Sequence, residues 1–348
     1  MKTGLIWKEW RQNVWVFVAF IILVIGYGQF ETYQTINNHN SSQIYYSSTE
    51  FKNIQKEQDK ESRMTAEDIQ STLTLDVYTN TIINIFSLVL VFFMGLKITV
   101  FEKNKRADYI AQAMPYSKFT IISHKLFWPL IVIIVPSVVY FVASYLMLNT
   151  HIDAQYMFTL KNWITNSTNS LLFLLIIFSF SFMMGTLIGD VVVAVAATGA
   201  LLASSVLLFV GSIRFTLIGF YAYFNNTTIE KIYDKPIVSL WFNKGPYIGY
   251  TLVGLFVLIF LILGCIFYSK ASLENNGLML TLPKARMPIL IIGALYTALT
   301  LANLNIGQDN RVSDAMVKTY LLHFGLIAFI AFAIGWVLFY KVKKLRRI

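Results

Sequence analysis

Residues 168–211 form an almost uninterrupted apolar run, which reads TNSLLFLLIIFSFSFMMGTLIGDVVVAVAATGALLASSVLLFVG. As one helix, these 44 residues would be about 66 Å long, roughly twice the thickness of the hydrocarbon core of a bilayer. The run must therefore turn back on itself. Gly185, Gly189 and Asp190 are the residues in it that favour a turn, so two membrane spans that meet in a tight turn are predicted.

Similar apolar runs recur along the chain. Of its 348 residues, 56% are hydrophobic and only 13% are charged, about half the charge of an ordinary soluble domain, so most of its surface must face lipid. The apolar segments are 14–30, 81–101, 126–148, 168–187, 191–211, 247–268, 287–306 and 319–340. Their lengths approach the roughly 20 residues that a spanning helix needs, and they predict an all-α polytopic membrane protein. Bulky residues follow the first segment where a cleavage site would need small ones, so a retained anchor is expected.

Basic residues set the expected orientation, because lysine and arginine collect on the cytosolic side of a membrane. With the N-terminus inside, the predicted inner segments hold 16 basic and five acidic residues, whereas the outer loops hold 11 basic and 13 acidic residues. All seven tryptophans fall near predicted helix ends, as an aromatic belt at both membrane boundaries requires. The chain is expected in the plasma membrane with both termini cytosolic. Its net charge of +10 then belongs to the inner face, and its spread over four short segments argues against nucleic-acid binding.

Two of the predicted outer loops are long. Residues 31–76 are polar and rich in acids, with a helix-compatible part near 51–70, and fit either a small ordered cap or a mobile excursion. Residues 212–246 contain too many apolar side chains for a solvated loop. They predict a short interfacial or re-entrant helix.

The loop after the second segment carries the pattern most informative about function. Residues 102–115 read EKNKRADYIAQAMP. Ala107, Ile110, Ala111 and Met114 lie at i, i+3, i+4 and i+7, which predicts one apolar stripe on a short helix whose other faces are charged. Such a helix, joined to two spans, is suited to transmit a movement of a soluble partner to those spans. An interfacial helix that only settles the loop on the membrane fits the same periodicity.

The order of features around this loop resembles the coupling-helix region of type-2 ABC transporter permeases. Glu102 comes first, and a basic cluster and the amphipathic helix follow. Next come Pro115-x-Ser117-Lys118, and a lysine, Lys125, opens the next span. In that family the region lies between the second and third helices and docks on the ATPase. The glycine-threonine pair that usually follows the acid in the family is absent here.

Further features extend the resemblance over roughly residues 1–268. The basic, tryptophan-containing segment 5–11 looks like the family's amphipathic elbow helix, and Gly189-Asp190 looks like its tight inner turn. An apolar outer excursion precedes the sixth span in both. The resemblance implies a six-span type-2 ABC exporter core at 1–268, followed at 269–348 by an inner linker and a C-terminal two-helix hairpin that exceeds the family core.

The resemblance also implies partners and site residues. A separate ABC ATPase would carry the ATP and magnesium, and a second permease copy or a homologous permease would complete the transporter. The implied ATPase-coupling residues are Glu102, Ala107, Ile110, Ala111, Met114, Pro115, Gly189 and Asp190. The second and fifth spans line the cavity in the family, and the residues implied for this path are Phe92, Phe93, Leu208 and Phe209. Contact with lipid fits the same side chains.

Catalytic and metal-binding motifs are missing from the sequence. It contains no G-x-x-x-x-G-K-[ST] phosphate loop, no H-E-x-x-H and no G-x-S-x-G, so no catalytic residue, metal ligand or cofactor site is predicted in this chain. Its four histidines are scattered, and a structural role is expected for each. The single cysteine, Cys265, lies in an apolar run and is expected to be a packing residue.

Two other functions compete with that of an exporter subunit. An ion-coupled secondary transporter usually has ionisable residues at mid-membrane, whereas Lys97 and Asp190 lie near predicted inner ends, and His323 and two asparagines alone lie deeper. An intramembrane enzyme would need clustered catalytic side chains. The spans lack fixed charge, which suits export of an amphipathic peptide or another hydrophobic compound. The Lys-, Asn- and Ile-rich chain resembles the phenol-soluble modulin exporters of Gram-positive bacteria in this respect.

Overall fold

The computed structural model of the chain is helical throughout, and no strand occurs among the residues that it describes. Those residues are 2–57, 64–79, 85–104, 113, 116–157, 159–205, 210–227, 246–272, 279–302 and 312–341. Their α-helices are α1 (Lys2–Ile21), α2 (Gly28–Ser47), α3 (Thr49–Glu57), α4 (Ala66–Thr79), α5 (Ile85–Leu96), α6 (Glu102–Asn104), α7 (Lys118–His151), α8 (Leu160–Leu187), α9 (Val191–Ser204), α10 (Val210–Phe224), α11 (Pro246–Lys270), α12 (Arg286–Leu301) and α13 (Asp314–Trp336). The π-helical turns are Ile22–Tyr27, Lys97–Phe101 and Val337–Lys341.

Within the described parts of the chain, six helices are long and apolar enough to cross a membrane. They are Trp7–Ser47, Lys118–His151, Leu160–Leu187, Thr251–Lys270, Pro283–Leu301 and Asp314–Tyr340. Two shorter apolar helices, Ile85–Phe101 and Val191–Ser204, each border residues outside the described part of the chain. The α-helical membrane class predicted from the sequence is confirmed. Each of the eight apolar segments coincides with one of these helices, while the count of eight spans stays a prediction.

The long apolar run splits into α8 and α9, which are separated by a non-helical turn of three residues. Asp190 caps α9, because its Oδ1 accepts hydrogen bonds from the amides of Val192 at 2.9 Å and Val193 at 3.1 Å. The turn predicted at Gly189 and Asp190 is therefore present. Gly185 was expected to be part of it and lies inside α8 instead, because it provides room for a neighbouring helix rather than for a turn.

The chain divides into two compact units. The first consists of Met1–Gly95, Tyr116–Ser179 and Val253–Phe260, and the second of Leu96–Pro115, Phe180–Leu252 and Leu261–Ile348. The helices of the C-terminal hairpin, α12 and α13, thus share a unit with α9 and α10.

In the first unit, α1 and α2 pack along α7. The rings of Trp10 and Trp128 lie 4.7 Å apart between their centroids, and the Thr32 hydroxyl donates a hydrogen bond of 3.0 Å to Ser144. Segment 5–11, which the sequence suggested as an elbow helix, lies within α1 and is not separated from the rest of that helix.

The first unit also contains a cap cluster, defined by the buried side chains of Ile36, Leu148, Ile152 and Trp163. Tyr145, Met147, Tyr156 and Met157 pack against it. The helices α3 and α4 pack against α2, so the described parts of residues 31–76 form a helical cap. Trp163 lies near the start of α8, as expected, and is buried, with its indole N–H donating to the carbonyl of Phe141 at 3.2 Å.

In the second unit, α12 packs against α13, and α10 packs against α12. The short helix predicted within 212–246 is observed as α10, and residues 228–245 of that segment lie outside the described residues.

Candidate functional site at the end of helix α8

The structure describes three of the eight residues implied for ATPase coupling. Glu102 is almost fully buried at the start of α6, and Gly189 and Asp190 occupy the turn before α9. The residues of this set that lie outside the described part of the chain are Ala107, Ile110, Ala111, Met114 and Pro115. The amphipathic stripe therefore stays a prediction.

Two of the four residues implied for the translocation path are described. Phe92 is half-buried on α5, and Phe93 beside it has 40% of its surface exposed, with the two ring centroids 5.1 Å apart. Leu208 and Phe209 lie outside the described residues. The lining of a path by these four side chains stays a prediction.

Lys103, at the base of the predicted coupling loop, holds the C-terminal end of α8. Its ammonium group donates hydrogen bonds to the carbonyls of Gly185 at 3.1 Å and Thr186 at 2.7 Å. The last carbonyls of a helix have no partner within the helix and carry the negative end of its dipole, so a lysine is well suited to cap them. Only 3% of the Lys103 surface is exposed. The bonds are therefore shielded from water, where charge-assisted hydrogen bonds are strongest.

A close approach between helices brings Lys103 to this position. Thr99 lies four residues before Lys103, in the π-helical turn at the end of α5, and it packs directly on Gly185. A β-carbon at position 185 would collide with the Thr99 hydroxyl, so the glycine is required for the contact. π-helical turns of this kind occur frequently at functional sites.

Thr281, in the segment before α12, caps the same helix end from a different part of the chain. Its hydroxyl lies 2.9 Å from the carbonyl oxygens of both Thr186 and Leu187, and its amide donates to Leu187 at 2.9 Å. We call this set of contacts the α8 junction. Its members are Thr99, Lys103, Gly185, Thr186, Leu187 and Thr281.

The α8 junction joins three segments that the sequence predicts to lie on one side of the membrane. These are the base of the loop after α5, the turn between α8 and α9, and the linker before α12. Lys103 thus bonds the loop base directly to the end of α8. Among the described residues no group of three His, Cys, Asp or Glu side chains could hold a metal ion.

Buried charged residues occur at other helix ends as well. Glu9, Glu102, Lys103 and Lys125 are all at most 3% exposed. Each lies near a helix end that the charge distribution predicts to be cytosolic. Burying a charge costs free energy unless neighbouring groups compensate, and such residues in a membrane protein mark candidate functional positions.

The sequence interpretation missed Lys103 and Thr281 as site residues. Lys103 contributed only to the count of inner basic residues, although its spacing of four from Thr99 places both on one helix face, which was a usable signal. Thr281 lies about 95 residues from its partners along the chain, and no local pattern marks it.

The fold thus defines an α-helical membrane protein, in which the described residues include six helices long enough to span a bilayer. No family model, no curated protein and no solved structure matches the chain.

Proposed function

We propose that this chain is the membrane-spanning permease subunit of an ATP-driven ABC exporter, with ATP hydrolysis on a separate ATPase chain. The observation that carries the proposal is the α8 junction. Lys103 stands at the base of the predicted coupling loop, and it is bonded to the C-terminal end of α8 rather than exposed to solvent. A partner that moves the loop would thereby move α8.

The distribution of charge supports an exporter over an ion-coupled carrier. The buried charged side chains among the described residues lie near helix ends, whereas a carrier usually places ionisable groups at mid-membrane. The Lys103 ammonium is engaged by backbone carbonyls, which is a structural role and leaves little freedom to bind and release an ion.

The proposed complex contains an ABC ATPase and a second permease copy or homologue in a plasma membrane of Gram-positive type. The proposed substrate is an amphipathic peptide or another hydrophobic compound. Phe92 and Phe93 support this, since aromatic surfaces without fixed charge adapt to varied apolar faces.

Co-purification tests the subunit assignment. Met114→Asp places a charge on the predicted apolar stripe, which costs several kcal/mol if the stripe is desolvated against a partner (about 2–7 kcal/mol). The tagged parent chain should co-purify with an ATPase, and the variant should lose the ATPase while still inserting into the membrane. Ala113→Asp is the matched control, because Ala113 is exposed and lies off the stripe. A Met114→Asp variant that retains the ATPase and exports at the parent rate would contradict docking through this helix.

A deletion strain tests the substrate assignment separately. A producing strain without this subunit should accumulate amphipathic peptides inside the cell and lose its protection against them. Unchanged peptide secretion, measured by mass spectrometry of the medium, would contradict the peptide substrate and leave the permease assignment intact.

A further inference from the structure

The C-terminal hairpin is hydrogen-bonded to the chain segment 187–223 at several successive levels. At the first level, Thr281 bonds to Leu187 at the α8 junction. At the second, the hydroxyls of Tyr296 and Ser204 lie 2.7 Å apart. The first level lies before α12 and the second lies within it, where Tyr296 reaches the C-terminal end of α9.

The same pairing continues to α10. The Ser212 hydroxyl donates to the carbonyl of Thr300 at 2.9 Å, and the Tyr223 phenol donates to the carboxylate of Asp314 at 2.8 Å. Phe220 and Tyr320 add an edge-to-face ring contact with centroids 5.5 Å apart. Both helices of the hairpin therefore hold α10.

Because the first helix of the hairpin is long, these contacts connect the α8 junction with α10. Pro283–Leu301 contains 19 residues and is about 28 Å long, close to the thickness of a hydrocarbon core. One end of this helix adjoins the α8 junction, and the other adjoins α10. Hydrogen bonds between helices stabilise association in a membrane, where apolar burial alone gives little preference for protein over lipid.

We propose that the C-terminal hairpin is a strut that holds α10 in a fixed position relative to the α8 junction, with Thr281 and Tyr296 as its positioning residues. A displacement at the junction is then passed along α12 to α10. The strut goes beyond the proposed function, since it concerns contacts within this unit and does not depend on which partner moves the junction.

Thiol labelling of a buried position on α10 tests the strut. Ala222 is 1% exposed, so Ala222→Cys in a Cys265→Ala background should react slowly with a soluble thiol reagent unless α10 lifts away. The experiment uses the purified full chain in lipid nanodiscs, where the reagent reaches both faces and neither topology nor an ATPase affects the outcome.

The informative variants lie away from α10. Thr281→Val removes one hydroxyl at the junction while keeping the side-chain shape, and Tyr296→Phe removes one hydroxyl at mid-helix. Each should raise the labelling rate of Cys at position 222 by about three- to tenfold, the range expected for one interhelical hydrogen bond. Thr281→Ser keeps the hydroxyl and should stay within about twofold of the parent.

Local variants separate the strut from simple packing of α10. Tyr223→Phe should accelerate labelling in either case, which shows that the assay detects release of α10. If Tyr223→Phe accelerates labelling while Thr281→Val and Tyr296→Phe do not, α10 is held only locally and the strut is wrong. Fast labelling in the parent itself would also overturn the proposal, since α10 would then not be held.

Discussion

The α8 junction and the cap cluster hold helices together by different means. In the cap cluster, aromatic and aliphatic side chains such as Trp163, Ile36 and Leu148 bury apolar surface against one another. At the α8 junction, Lys103 and Thr281 hold a helix end through its backbone carbonyls. Apolar contacts are non-directional, whereas hydrogen bonds to carbonyls have a preferred distance and angle.

This difference indicates different roles for the two regions. A cap cluster that depends on buried area tolerates small shifts and provides stability. A junction that depends on a few directional bonds is sensitive to displacement, because a shift at either side changes the geometry of bonds at the same helix end. Substitutions that remove volume or polarity selectively test whether the two regions differ in this way.

The largest effect is expected for Trp163→Ala. Truncation of a buried indole leaves a cavity and should lower the free energy of unfolding by about 3–5 kcal/mol. Trp163→Phe, which keeps most of the ring but loses the bond to Phe141, should cost only about 1 kcal/mol. Unfolding of the purified protein by a denaturing detergent measures both. Equal losses for the two variants would mean that the indole hydrogen bond, not volume, holds the cap cluster.

A smaller but still substantial effect is expected for Lys103→Met, which keeps the chain length and removes the charge. Loss of two shielded hydrogen bonds, partly offset by the relief of burying an ammonium group, should lower the free energy of unfolding by about 2–3 kcal/mol. The exposed Lys284 provides the control, since Lys284→Met should change stability by less than about 0.5 kcal/mol. A stable Lys103→Met variant would show that packing, not polarity, holds the junction.

Two glycines distinguish packing at the junction from helix propensity. Gly185→Ala forces a methyl group against Thr99 and should cost about 1–2 kcal/mol. Gly199→Ala, in α9, meets no atom within 4 Å and should leave stability unchanged or raise it by up to about 1 kcal/mol. The same detergent titration gives both values. Destabilisation of similar size at both positions would contradict a specific close approach at Gly185.

The smallest effect is expected at the start of α4, near the cap. Hydrogen bonds from the amide and the hydroxyl of Thr65 lower the pKa of the Asp68 carboxyl below its usual value. Since the folded pKa is depressed, the contribution of Asp68 is present above the unfolded pKa of about 4 and is lost as the pH falls through the folded value. After correction for the intrinsic exchange rate at each pH, the protection of a peptide covering 64–72 should therefore fall to that of Asp68→Asn at low pH. A constant difference between parent and variant across pH 2–7 would contradict this pH dependence.

Much of the helical organisation could be predicted from apolar length and local chemistry. The turn at Gly189 and Asp190 followed from the excessive length of the run, and α10 followed from a segment with too many apolar side chains for a solvated loop. The state of residues 31–76 could not be chosen in advance. Their polar composition fits a loop, whereas their described parts are helical, and distant residues such as Leu148 and Trp163 cover Ile36.

The candidate site was predicted less well than the fold. The family resemblance implied Glu102 and the turn as coupling residues, yet the bonds that hold the end of α8 come from Lys103 and Thr281. The prediction of Gly185 as a turn residue was wrong. A glycine near a helix break can serve either a turn or a close contact between helices, and only the position of Thr99 distinguishes the two.

The sequence by itself determined that this protein is helical, that it lies in a membrane and where its longest run turns back. These properties follow from segment length, composition and local capping, which act over a few residues. Tertiary packing was needed to show that α8 ends between Lys103 and Thr281, and that the hairpin contacts both this helix end and α10. A helix end offers the same free carbonyls to any donor, and which donor reaches it depends on how distant segments pack.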